Sequence, residues 1–494
     1  MPGNCHRLGE CVAAATGTVA LRELVPQPSS AASCGASSPQ HSALAARRRQ
    51  NSQAGRLRYP ERERAAPEFL VRVRQSQCVV KNMATSSVQL ADGPPALPGC
   101  ADRSHAIPWS CLAAVFGATC IPLGVLWDIS WHESIGRDTF WTPAHMVIYL
   151  GGVVPGLTCG WLALRTTFFG TAEERAAAVS LWGARAPLGA WISIWGCFAM
   201  LTSAPFDDWW HNAYGLDVQI LSPPHSLLAI GMFGVALGVL LLVLSWQNRA
   251  AEPQRTAVAR LFVFMVGIMT AMNSVFVMEY SFPNEQHALR FYLIACWHYP
   301  ALLVMASRAS AVRWGATWAA TVYVGVYLLL IWVLPRFAAQ PMLAPIYNPV
   351  TSMVPPPFPL LLVLPALAID WLVAREKRGR NGSGDGVVAV GAAEIPWWRD
   401  WVLAFALAAA FLTIFFVAQW MFSSFMLSPA SNNWVFAGHR HWPYTSNPGK
   451  WMDIFWRVDS DPVTARGLGA AFVLAVATCR GGLWFGNWML KVRR

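Results

Sequence analysis

The chain has 494 residues, 55% hydrophobic and only 13% charged, with 26 Trp and a formal net charge of +11. Soluble globular proteins carry about 25% charged residues, so the composition excludes a disordered chain, a coiled coil and an ordinary soluble enzyme. It fits a polytopic membrane protein, in which charge is confined to loops and indole rings collect at the membrane–water boundary.

Residues 1–82 differ from the rest. They hold twelve basic residues against five acidic ones, about +7 of the net +11, and no apolar run long enough to span a bilayer. Two readings stand: a disordered basic extension or targeting segment, or a start placed upstream of Met83. Four of the eleven Cys lie here (Cys5, Cys11, Cys34, Cys78) at spacings that make no zinc pair. Residues 83–106 read as a short N-terminal cytoplasmic segment.

From Ile107 onward the pattern predicts an all-α polytopic protein of about ten transmembrane helices, each needing about 20 apolar residues. The expected spans lie near 107–126, 144–164, 187–204, 225–246, 257–278, 289–307, 312–334, 358–374, 400–427 and 467–490. The eighth is short and contains Pro365. Every second loop is basic: Arg165, Arg175 and Arg185; Arg249, Arg255 and Arg260; Arg308 and Arg313; Arg375, Lys377, Arg378 and Arg380; then the Lys491–Arg494 tail. The positive-inside rule makes those loops and both termini cytoplasmic. Basic charge therefore reports topology, not nucleic-acid binding. The other loops face outward, which in a bacterium places them on the periplasmic side of the inner membrane.

Two of those outward loops carry the chemistry. The first runs Asp128, His132, Gly136, Asp138, Pro143, His145; the second runs Asp207, His211, Gly215, Asp217, Pro224, His225. Both read Asp-x-x-x-His, then Gly, Asp and a Pro-containing approach to a second His, so residues 107–246 form an internal repeat of two spans plus a polar loop. Asp and His at i and i+4 share one helical face, and the second His heads the next helix, where Pro143 and Pro224 suit the first turn. Two His and one carboxylate with open positions suit copper, iron or zinc, and ionisable groups at membrane depth tend to be functional. Against this stands an Asp–His hydrogen bond that only braces each loop, with Trp127, Trp131, Trp141, Trp209 and Trp210 as interface anchors and Arg137–Asp138 as an ion pair.

The first loop, Trp131-His132-Glu133-Ser134-Ile135-Gly136-Arg137-Asp138-Thr139 with Thr142-Pro143-Ala144-His145, resembles the C subunit of the particulate methane and ammonia monooxygenases. That family reads Trp-His, then Arg-Asp-Thr, then Thr-Pro-x-His, with an Asp four residues before the first His. The resemblance covers about residues 107–246. It implies a copper site at Asp128, His132 and His145 whose open positions bind oxygen, with Arg137 and Asp138 orienting the ligands, and a second site at Asp207, His211 and His225. The family has Asn where this chain has Asp207, which adds charge to the second site. It further implies partner monooxygenase subunits and oxidation of a small apolar substrate, a hydrocarbon or ammonia, with dioxygen.

Residues 247–494, about six further helices, carry no resemblance and no assigned role. Their weaker candidates are Glu279, Glu285 and His287 in one outward loop, His298 inside the sixth span, and His439 and His441 in a long outward loop. Pro355–Pro357 reads as a rigid spacer. The expectation is thus a component of a membrane-bound copper monooxygenase in a lipid bilayer. The alternatives are a metal-binding or metal-transporting protein without catalysis, and a structural membrane subunit.

Overall fold

The computed structural model describes residues 107–136, 141–214, 222–342, 350–381, 397–438 and 461–493. The expectations for 1–82 and 83–106, and those for Arg137, Asp138, Gly215, Asp217, His439 and His441, lie outside the described residues.

Eleven helices are described: α1 (Trp109–Ser134), α2 (Pro143–Phe168), the short α3 (Ala172–Ala176), α4 (Leu188–Tyr214), α5 (Pro223–Gln247), α6 (Gln254–Val275), α7 (Leu289–Ala309), α8 (Gly315–Val333), α9 (Val363–Asn381), α10 (Trp397–Met426) and α11 (Ala465–Met489). Among the described residues nine are long and apolar enough to cross a membrane: all except α3 and α9. The chain is a helical multi-pass membrane protein.

Two expectations need correction. The eighth span, placed at 358–374, is a helix only from Val363. Pro355, Pro356, Pro357 and Pro359 exclude helix before it, because proline lacks the amide hydrogen and clashes with the preceding turn. Basic residues begin at Arg375, so the apolar helical part is about 18 Å long at 1.5 Å per residue, short of a bilayer core of about 30 Å. The fold is also not purely helical. Val179–Leu181 and Ala184–Ala186 pair antiparallel in the loop after α3. Trp182 and Gly183 turn between them with φ of 49° and 83°, the positive-φ pair that a tight hairpin requires.

The helices pack in pairs. α1 lies against α2, α4 against α5, and α7 against α11, while α5 and α6 run through the middle of the structure. Val239–Leu244 of α5 and Phe262, Val266 and Ile268 of α6 are fully or almost fully buried. The outer faces of α2 and α4 expose Leu157, Trp161, Phe168, Trp195, Phe198 and Leu201, as faces bathed by lipid do.

The repeat read from the loops continues into the helices. A Cβ added at Gly151 of α2 would meet Ile121 and the carbonyl oxygen of Gly117 on α1. One added at Gly231 of α5 would meet Met200 and the carbonyl oxygen of Gly196 on α4. Gly117 and Gly196 lie eleven residues before Asp128 and Asp207, and Gly151 and Gly231 lie six after His145 and His225. The same backbone approach therefore closes both hairpins, because a hydrogen at these positions lets the helices touch.

The second half of the chain grips the first. Ser130 and Ser134, one turn apart on α1, hold Val354 from both sides. Ser130 Oγ donates to the Val354 carbonyl at 2.5 Å, and the Val354 N–H donates to Ser134 Oγ at 2.8 Å. Met353–Pro357 are all buried. The triple proline is thus not a free spacer but a strap packed along α1.

Candidate metal centre

Each triad is assembled from the end of one helix and the start of the next. Asp128 and His132 occupy the last turns of α1, and His145 is the third residue of α2. Thr142 caps α2, its hydroxyl accepting from the His145 N–H at 3.2 Å, and Pro143 fills the first helical position. The second hairpin repeats the arrangement. Asp207 and His211 end α4; Ser222 caps α5 and accepts from the His225 N–H at 3.3 Å; Pro223 and Pro224 open the helix. A capping hydroxyl bonded to the third residue satisfies an otherwise orphaned amide, and proline presets φ for the first turn. Together they fix the backbone from which each second His projects.

In the first triad, Asp128 Oδ1 lies 3.3 Å from His145 Nε2 and Oδ2 lies 3.6 Å from His132 Nε2. In the second, Asp207 Oδ1 lies 3.5 Å from His225 Nε2 and Oδ2 lies 3.4 Å from His211 Nε2. Two donors each about 2.1 Å from one ion, at the tetrahedral angle, stand about 3.4 Å apart. The observed separations match that edge. Asp128 Oδ1 and Asp207 Oδ1 are buried and, among the described residues, have no hydrogen-bond partner. The imidazole nitrogens of His145 and His225 lie 3.3 and 3.5 Å from them. A buried carboxylate oxygen left in this state is costly, and a bound cation would relieve it in both hairpins.

The two triads are not equal. Asp128, His132 and His145 bring one ligand atom each within 4.8 Å of one another, and among the described residues no other three His, Cys, Asp or Glu side chains do so. Asp128 is 18% exposed and Asp207 33%. The sequence explains part of the difference. One turn before Asp128 is Gly124, where an added Cβ would meet the Ile148 side chain and backbone nitrogen on α2. The equivalent position before Asp207 is Ser203. Glycine lets α1 and α2 approach directly beneath the first triad.

The other candidates stand apart from both triads. His287 Nε2 lies 3.1 Å from the Ser424 hydroxyl and 3.3 Å from the Trp420 carbonyl. Glu285 pairs with Arg290, and Glu279 is exposed. His298 Nδ1 lies 3.1 Å from Asn273 Oδ1, tying α7 to α6. The contacts of His287 and His298 brace one helix against another.

Sequence reading passed over Glu133, Ser130 and Ser134. Glu133 follows His132 and lines a small pocket with Leu126, Ile129, Ser130, Met278 and Val354–Pro357. The available signal was two Ser at i and i+4 at the end of an otherwise apolar helix, a spacing that marks a polar contact on one face.

The fold and site together define a multi-pass helical membrane protein carrying a two-His, one-carboxylate candidate metal centre. Neither the models of known protein families, nor curated proteins, nor solved structures match the chain.

Proposed function

We propose that the chain is a divergent component of a membrane-bound copper monooxygenase that oxidises a small apolar substrate, a hydrocarbon or ammonia, with dioxygen. The observation that carries the reading is the duplicated Asp-x-x-x-His…His triad, whose carboxylate–imidazole separations of 3.3–3.6 Å in both hairpins suit a shared ion. The donor set alone suits copper, iron or zinc; copper rests on the resemblance of the first loop to the C subunit of the particulate monooxygenases.

In this reading Asp128, His132 and His145 hold the principal ion, and Asp207, His211 and His225 hold a second. A copper ion bound there supplies the redox chemistry that dioxygen activation requires. The chain's own residues do the rest. Asp128 bridges the two imidazoles and sets their spacing. Thr142 and Pro143 hold His145 at the head of α2, and the family resemblance assigns Arg137 and Asp138 to orienting the ligands. The apolar bodies of α1 and α2 bring the site to the membrane boundary, where a hydrocarbon substrate is concentrated by the lipid. Partner subunits and an electron donor complete the reaction.

The alternation of basic loops supports a topology with both termini in the cytoplasm and the triads on the periplasmic side of the inner membrane. That topology requires the α9 region to complete a crossing. The buried extended stretch Met353–Leu362 supports this, since non-helical backbone is tolerated at membrane depth when it is packed inside protein. Clustering of the ligands at helix ends favours catalysis over transport.

Metal analysis of purified full-length protein tests the reading. Wild type is expected to hold copper, and the His132→Ala, His145→Ala double variant to lose it from the first site. Equal, sub-stoichiometric metal in both sinks the metal-centre assignment. Metal lost without any oxygen-dependent turnover on co-expression with candidate partner subunits sinks the enzymatic one.

A further inference from the structure

The basic residues just before α8 and on α9 do more than mark a side of the membrane. Arg313 and Trp314, just before α8, converge with Asp370, Trp371, Ala374, Arg375 and Arg378 of α9 around a groove of about 430 Å³. Trp371, Arg375 and Arg378 stand at i, i+4 and i+7, on one face of α9. The Arg375 guanidinium lies over the Trp371 ring at 5.4 Å, and that of Arg313 over the Trp314 ring at 5.8 Å. Both tryptophans are exposed.

The charge balance in the groove is positive. Asp370, its one acidic wall residue, is 5% exposed and already used. It accepts from the Ala316 N–H at 3.2 Å and from the Thr317 N–H and hydroxyl at 2.8 Å each, capping α8. The neighbouring Glu376 is taken by the buried Arg308 at 3.0 Å. Among the described residues no carboxylate pairs with Arg313, Arg375 or Arg378. Three guanidinium groups therefore face one groove with no counter-charge of their own.

The groove also sits at a defined depth. α9 changes from apolar to charged between Ala374 and Arg375, and α8 begins its apolar run at Gly315. Its mouth is therefore level with the bilayer surface, flanked by two indole rings of the kind that settle among headgroups. Arginine forks match phosphate oxygens in pairs, and basic pockets between membrane helices accept anionic headgroups.

We propose that this groove binds the phosphate of an anionic phospholipid headgroup, with Arg313, Arg375 and Arg378 on the phosphate and Trp314 and Trp371 against the glycerol and upper acyl chains. The site is independent of the metal triads and stands whether or not they bind copper.

The test is lipid retention by the full chain in detergent, read by native mass spectrometry against mixed micelles of dioleoylphosphatidylglycerol and dioleoylphosphatidylcholine. Wild type is expected to retain the anionic lipid selectively, with the preference falling roughly fivefold for each arginine exchanged for glutamine. The Arg313→Gln, Arg375→Gln, Arg378→Gln variant should lose it, and the matching Arg→Lys triple variant, which keeps the charge and serves as the folding control, should keep most of it. An Arg165→Gln, Arg175→Gln, Arg185→Gln variant, in a different basic loop, should behave as wild type. Equal retention of both lipids by wild type overturns the proposal. So does an equal loss in both glutamine variants, which would reduce the effect to general surface charge. Saturable binding of inorganic phosphate by lipid-free protein that displaces phosphatidylglycerol overturns it in favour of a soluble anion.

Discussion

Each triad turns on one carboxylate that serves two imidazoles. Asp128 and Asp207 each present one oxygen to the His a turn later and the other to the His on the next helix, so neither oxygen can be removed without freeing a ring. The two carboxylates differ in exposure, 18% against 33%, and the more exposed one holds its rings in higher dielectric, where each charged contact is worth less. The second site should therefore hold an ion more weakly than the first. Asp207→Asn keeps the size and shape of the side chain and removes its charge. In the proposed reading, in which each triad holds an ion, it is expected to weaken metal binding at the second site, with the first site's spectroscopic signature unchanged. Loss of metal from both sites would show that the triads are not independent, and unchanged metal content would remove Asp207 as a ligand.

Helix ends do the positioning, and glycine sets how close two ends come. Gly124 allows α1 and α2 to meet one turn beneath the first triad. A Cβ there would lie 2.7 Å from Ile148 Cγ1 and 2.9 Å from its backbone nitrogen, and backbone cannot swing away as a side-chain tip can. Gly124→Ala is expected to cost about 1–3 kcal/mol through overpacking. It should also weaken metal binding about 10- to 100-fold, the range for losing groups that orient ligands. Gly160, on the same α2, has nothing within 4 Å of an added Cβ. Gly160→Ala should leave metal binding unchanged and gain a few tenths of a kcal/mol from helix propensity. Thermal unfolding and metal titration of the pair check this, and similar metal affinities in the two would show that the α1–α2 approach does not set the site. These hairpins were readable from sequence because cap, proline and ligand all lie within four residues in Thr142–His145 and Ser222–His225. The glycine contacts were not, because a glycine inside an apolar run signals nothing until the helix it faces is known.

At the scale of the whole molecule the sequence is unevenly informative. Of the ten expected spans, nine are, among the described residues, helices long and apolar enough to cross a membrane, since about 20 apolar residues have few other uses. What the second half does for the first does not follow, because Ser130 and Val354 are 224 residues apart and no periodicity links them. The least legible element is α9 with its proline strap, and the sidedness of the protein depends on it. If Met353–Ala374 completes a crossing, the loop after α8 and the loop after α9 lie on opposite sides and the alternation of basic loops holds. If it enters and leaves by one face, those loops share a side, and everything beyond α9 is inverted. Single cysteines decide this. The described native cysteines sit within membrane helices, five of six of them buried, so only Cys5, Cys11, Cys34, Cys78 and Cys100 need replacing by serine for a quiet background. Gln340, exposed after α8, changed to Cys should react with a membrane-impermeant maleimide added to intact cells. Ser383, in the Gly-rich segment after α9 and outside the described residues, changed to Cys should react only once the membrane is opened. Labelling of both from one side would make α9 a re-entrant element and move the C-terminus to the side of the metal triads.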